Sequence, residues 1–226
     1  MKSYILCTLF ACSILFGQAQ ILPDNNHNTY KLKGSTQKVL TYNEIVGSPF
    51  RYTQFMESKV FFRLQDLPMK YKINYNAYND ELEYIEDGIT YTICNPNEIH
   101  KVEVNNEVII YTKYYNYDVQ KEGYFIEIID DYISLYKKEL ILNVLIKNSA
   151  YGNNQDKKAK FIKEKPRYYI SIYGGPLTLI KTKKKLTQLF FNHPDVKKYI
   201  KEENIKMHSE DDLKKLVIFL NKFDKK

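Results

Sequence analysis

The chain has no tryptophan, three cysteines and three arginines, and each shortage removes a class of function. Cys7 and Cys12 lie in an N-terminal apolar run, so Cys94 is the one cysteine left once that run is removed, and no disulfide can form within the remaining chain. An unpaired thiol in an oxidising compartment is expected to be buried, and Cys94 closes the apolar run Ile89-Thr90-Tyr91-Thr92-Ile93. Arg51, Arg63 and Arg167 are too few for a phosphate-reading surface, which favours the bidentate guanidinium fork. The formal charge of +7 therefore rests on lysine. It argues for solubility, and for peripheral contact with an anionic membrane or polymer surface, rather than for a specific nucleic acid.

Other absences concern motifs. No Gly-x-Gly-x-x-Gly, phosphate-binding loop or Gly-x-Ser-x-Gly occurs. His27, His100, His193 and His208 are far apart, and no His-Glu-x-x-His occurs, so no local zinc site is expected. No catalytic residue, metal or cofactor is assigned.

The N-terminus is informative. Lys2 precedes the apolar run Tyr4–Phe16, and Gly17-Gln18-Ala19 is a small-x-small pattern. This reads as a secretory signal peptide over residues 1–19, cleaved between Ala19 and Gln20. The run is shorter than the ~20 residues of a membrane span. Cys12 lies inside it rather than after it, which argues against a lipid anchor there. The expected address is the periplasm, the outer-membrane periphery or the exterior.

Residues 20–36 read as a flexible tail. Residues 37–146 alternate short apolar runs with turn signals, including Asp87-Gly88 and Asn105-Asn106, which suit tight hairpins. Strands are expected at Lys38–Tyr42, Lys59–Leu64, Met69–Tyr75, Glu81–Ile85, Ile89–Cys94, Ile99–Val104, Glu107–Thr112, Gly123–Ile129 and Tyr132–Val144, the last with a break. Period-two alternation places Tyr71, Ile73 and Tyr75 on one face, Leu82 and Tyr84 on another, and Ile89, Tyr91 and Ile93 on a third. Each is set against a polar face, the pattern of an antiparallel sheet. Residues 147–166 read as a linker. Residues 167–226 read as a hairpin around Gly174-Gly175-Pro176 followed by three short helices. The expected fold class is α+β, mainly β: an antiparallel meander, either a curled sheet or a barrel, followed by a small ββααα unit.

Three local features could carry function. His193-Pro194-Asp195 resembles the tripeptide of J-domain co-chaperones, but a Gly-Gly-Pro hairpin occupies the place of the required upstream helix, and the helix that follows is short. His193 as N-cap, Pro194 at N1 and Asp195 at N2 describe an ordinary helix start. The run Asp80–Asp87 lacks the order of a calcium loop, and Glu81 and Glu83 read as a solvated strand face. Tyrosine is the abundant residue: Tyr111, Tyr114, Tyr115 and Tyr117 fall within seven positions and are the candidate ligand-binding residues, since rings at strand ends can form a wet aromatic platform.

Gly47-Ser48-Pro49-Phe50, Tyr75–Glu83 and Asp212–Asn221 resemble phrases of uncharacterised exported proteins of Bacteroidota-type bacteria. The resemblance implies an envelope address and no activity. The function expected is that of a non-enzymatic envelope protein binding a partner protein or surface polymer. A small-ligand-binding barrel and an envelope hydrolase are the alternatives.

Overall fold

The computed structural model describes residues 45–116, 119–147 and 157–224. The expected signal peptide, its cleavage site, the tail and the strand at 38–42 lie outside them. Ten strands form one sheet: β1 (Met56–Phe62), β2 (Met69–Asn76), β3 (Glu81–Glu86), β4 (Ile89–Thr92), β5 (Ile99–Val104), β6 (Glu107–Asn116), β7 (Val119–Ile129), β8 (Ile133–Lys138), β11 (Arg167–Ile172) and β12 (Leu177–Leu179). A separate hairpin pairs β9 (Ile141–Lys147) with β10 (Lys157–Lys163). The helices are α1 (Lys183–Leu189), α2 (Pro194–Glu202) and α3 (Glu210–Asp224). The fold is mainly β, a curled antiparallel meander with C-terminal helices, as expected.

The turns follow their chemistry. Asp87-Gly88 and Asn105-Asn106 all have positive φ, the geometry that two-residue hairpins need. Strand order runs β12-β11-β8-β7-β6-β5-β1-β2-β3-β4, and β12 also pairs in parallel with β6, Leu177 opposite Tyr114. The strands β6, β7, β8, β11 and β12 therefore close a five-stranded ring. Its interior is filled by Tyr114, Phe125, Tyr136, Tyr169, Leu177 and Leu179. The three rings Tyr114, Phe125 and Tyr169 meet edge to face with centroids 4.9–5.6 Å apart.

The ring's outer wall is covered too. On β8 and β11, Ile133, Leu135, Tyr168 and Ile170 face outward and pack against Leu186, Val196, Ile200, Leu213, Leu216 and Val217 of the helices. On β6 and β7, Ile109, Tyr124 and Ile126 join the core beneath β1, β2, β3 and β5. Strands buried on both sides lose the alternation that marks a half-wet sheet, which is why 123–129 is apolar at nearly every position.

Two expectations about organisation change. The segment read as a linker carries β10, whose alternating Ala159 and Phe161 complete the core over Tyr78. The hairpin β11–β12 is not an independent unit with the helices, because a two-stranded hairpin leaves both edges unpaired, and β8 and β6 satisfy them. Asn221 fixes α3 to that wall: its amide accepts from Ile133 N at 2.8 Å and donates to Ile133 O at 2.9 Å, both buried. Ser209 caps α3 by accepting from Asp212 N at 3.3 Å.

A buried polar contact ties the ring to the β2–β3 turn. Lys138 Nζ sits 2.7 Å from Asp80 Oδ2, donates to Tyr124 O at 3.1 Å and lies over the Phe125 ring at 4.6 Å. Asp80 also accepts from the Tyr75 hydroxyl at 2.7 Å. A Cβ on Gly123 would collide with Asp80 Oδ2 and stand 2.7 Å from Lys138 Nζ, so glycine is what leaves room for the pair. Burial holds Lys138 below the usual lysine range, with Asp80 opposing the shift. Gly123→Ala should cost about 2–3 kcal/mol in denaturant unfolding by forcing the pair apart. Asp80→Asn should cost about 3 kcal/mol by leaving a buried cation alone. Since the folded state then releases the Lys138 proton more readily than the unfolded chain, part of the Asp80→Asn loss should return as pH rises toward ~10.

Candidate functional site

The four tyrosines predicted from sequence do not form one surface. Alternation along β6 puts Tyr111 and Tyr115 on one face and Tyr114 on the other. Tyr114 is part of the ring's interior. Tyr111 is half-buried edge-on against Tyr124 at 4.9 Å, and Tyr115 is exposed. Tyr117 lies outside the described residues. Burial raises the Tyr111 and Tyr114 hydroxyls above their ordinary range, helped by Glu122 and Asp80 respectively, which keeps both phenols protonated.

The charged groups converge in one place, around Arg51. Its guanidinium holds Glu107 through Nε at 2.9 Å and Nη2 at 2.5 Å, and its Nη1 pairs with Glu139. Tyr52 donates to Glu107 at 2.7 Å. Lys163 Nζ stands 2.9 Å from Glu139 Oε2 as an ion pair without hydrogen-bond geometry. Burial pushes the Glu107 carboxyl up, but the Arg51 and Tyr52 hydrogen bonds outweigh it and hold the group below the ordinary carboxylate range. A carboxylate with its lone pairs committed in this way is a poor general acid or base. Its role is to tie the 51–55 loop to the start of β6. Asn74 holds the same loop, accepting from Tyr52 N and donating to the Tyr52 and Gln54 carbonyls. That loop is why Glu83, read as solvated, is buried with Asn76 donating to it at 2.7 Å. Among the described residues no group of His, Cys, Asp and Glu could hold a metal ion.

The most ligand-like feature lies at the far end of the sheet. A pocket of about 320 Å³ opens between β1, β2, β3 and the segment that follows β4. Val60, Phe62, Tyr71, Tyr84 and Ile99 line it, and Ile93, Cys94, Asn95 and Glu98 form one wall. Tyr71, Tyr84 and Tyr91 run across three strands as an aromatic ladder, edge-on at 5.3 Å between the first two and stacked at 5.3 Å between the last two. Arg63 anchors the adjoining β1–β2 loop to the wall, its N donating to Glu98 O at 2.8 Å and its Nε to Asn97 O at 3.0 Å. That loop then presents Leu64, 98% exposed, and Leu67, 79% exposed. Met69 and Ile89 are exposed on the neighbouring strand starts. Exposed apolar side chains on a loop pinned beside an aromatic pocket are what an interaction site shows.

Cys94 is exposed at this rim, not buried as expected. β4 stops at Thr92, and Ile93 takes the inward place, donating from its N to Leu82 O at 2.9 Å. Cys94 is then the first residue turned outward as the chain leaves the sheet, its thiol donating to Thr92 O at 3.5 Å. The ladder could have been found from sequence. A two-residue turn at Asp87-Gly88 sets Tyr84 opposite Tyr91, and the register Ile73↔Tyr84 then brings Tyr71 alongside.

No family model, curated protein or solved structure matches this chain. The functional reading therefore rests on the site's own chemistry. Cys94 should react to full stoichiometry with a small maleimide in the native protein, read by mass; labelling only in denaturant would mean that the rim is closed.

Proposed function

We propose that this protein is an exported, non-enzymatic binding module of the cell envelope, and that it docks an extended apolar segment of a partner protein at the pocket beside β4. The observation that carries the reading is the conjunction of three features at one place. The ten-stranded sheet ends at β4, the pocket opens beside it, and Leu64 and Leu67 stand exposed on a loop pinned to the pocket wall. An edge strand offers backbone hydrogen bonds to an added strand, and a neighbouring pocket selects one of its side chains. A volume of about 320 Å³ suits one large apolar side chain. Glu98 in the pocket wall favours a basic residue flanking that side chain.

The alternatives are weaker on the same geometry. A small ligand inside the barrel would have to displace Tyr114, Phe125 and Tyr169, which already fill the ring. An envelope hydrolase needs a cleft with convergent carboxylates or histidines, whereas Glu107 and Glu139 are both committed to Arg51. Among the described residues no helix is long and apolar enough to cross a membrane.

The test is a pull-down from the source organism's envelope fraction with three baits: the wild-type chain, a Leu64→Asp/Leu67→Asp variant, and wild type carrying a bulky maleimide adduct on Cys94. A stoichiometric protein held by the wild type and reduced about tenfold by both changes supports the proposal. A partner held equally by all three baits would place docking elsewhere. A bound glycan or lipid in place of a protein would shift the reading to a small-ligand site on the Tyr71–Tyr84–Tyr91 ladder.

A further inference from the structure

The helical side carries a second surface, unrelated to the pocket. Phe190 N donates to Leu186 O, and His193 N donates to Phe190 O at 3.0 Å, so residues 190–193 form a closed turn between α1 and α2. Phe190 points into the helical core, and Phe191, at the tip of the turn, is 77% exposed. Seven lysines surround this tip in sequence, Lys181, Lys183, Lys184, Lys185, Lys197, Lys198 and Lys201, against a single carboxylate, Asp195. All seven are exposed. Glu202 and Glu203 follow at the far end of α2.

Two of these placements work against the fold. Lys183, Lys184 and Lys185 occupy the first turn of α1, which has no acidic residue, although the positive end of a helix disfavours cations. A phenyl ring held in water by a hydrogen-bonded turn gains nothing from burial. Local choices that oppose stability without compensation mark functional positions. At 1.5 Å per residue, the first turn of α1 lies about 9–12 Å from the tip, and Lys197 and Lys198 lie one turn into α2. Lys197 and Lys201 share an exposed stripe of α2 flanking the buried Val196 and Ile200, and Lys198 stands on the opposite face.

We infer that the α1–α2 turn anchors the protein on an anionic lipid bilayer, with Phe191 inserted at the headgroup boundary and the α1 and α2 lysines against the headgroups. The charge complementarity favours an anionic surface. The single apolar tip, standing proud of the surface rather than lining a groove, favours a bilayer over a protein. Lysine without arginine favours point-charge attraction to a lipid surface over nucleic-acid readout. The closed turn presents the ring already ordered, so insertion loses little conformational freedom.

The absence of tryptophan makes a direct test available. Phe191→Trp in the full chain creates a single fluorophore at the proposed depth. On vesicles of phosphatidylcholine with ~30% phosphatidylglycerol its emission should shift to the blue, and the shift should be lost in ~0.5 M salt, where the attraction is screened. Vesicles of phosphatidylcholine alone should give little shift. Lys197→Glu/Lys198→Glu in the Phe191→Trp background should weaken the fluorescence-read affinity about tenfold with unchanged far-ultraviolet circular dichroism. An unshifted, water-exposed emission on anionic vesicles overturns the proposal. So does an equal shift on neutral vesicles. A shift produced by a single-stranded oligonucleotide but not by vesicles would overturn it in favour of nucleic acid.

Discussion

The Lys138–Asp80 pair stands where the two halves of the β structure meet, and the arrangement of both halves depends on it. Lys138 ends β8, a strand of the closed ring, and Asp80 belongs to the turn between β2 and β3 of the open sheet. The contact is a cation lying over Phe125 and Tyr114 and a carboxylate drawn over a strand that has no side chain at Gly123. Burying the two charges costs several kcal/mol per ion, and their attraction with the Tyr75 and Tyr124 hydrogen bonds roughly offsets it. The pair is therefore better understood as a register device than as a source of stability. An Asp80 turn shifted by one residue would leave Lys138 buried and alone, a penalty large enough to exclude that arrangement. Asp80 takes this position at φ +61, a conformation that is affordable because its side chain is fully engaged.

From that junction the layering follows. β6 and β7 have one face in the ring and the other in the sheet core, so they must be apolar on both sides. The ring closes through only two register pairs between β12 and β6. So short a strand pairing in parallel is weak by itself, and the helices that pack on β8 and β11 hold the wall in place. Asn221 matters for the same reason, since its two buried hydrogen bonds to Ile133 set where α3 lies along β8. Tyr199 and Phe219, stacked with centroids 3.8 Å apart, then hold α2 to α3.

Much of this was legible in the residues. The turns, most of the strand positions and all three helices follow from alternation, positive-φ residues and helical spacing. What escaped has a common cause: long-range pairing. β10 hides in a lysine-rich segment because its inward positions, Ala159 and Phe161, are only two residues. The hairpin β11–β12 looked independent because nothing local says that its edges pair with strands 30 and 60 residues away. Tyr114 looked like a binding residue because a buried ring and an exposed ring have the same letter; only closure of the barrel separates them. Cys94 was misplaced by continuing the strand two residues too far. The Tyr71–Tyr84–Tyr91 ladder was recoverable, since one tight turn and the β2–β3 register determine it.

The positions that escaped a structural account are also the ones that carry the functional argument. Leu64 and Leu67 have no partner that would explain two leucines on a loop tip, while the arginine beside them is used to pin that loop to a pocket wall. Phe191 follows a phenylalanine that does pack, so an apolar residue was not needed twice for the fold. A chain that hides side chains 0–8% exposed in three cores has had ample means to bury these as well. It holds them out instead on ordered turns, one set on the open sheet beside a pocket with Glu98 in its wall, the other on the helical layer among lysines. Surfaces on separate layers can be occupied at the same time, because neither requires the other to open. That independence fits a module that sits on one surface while it holds a second component.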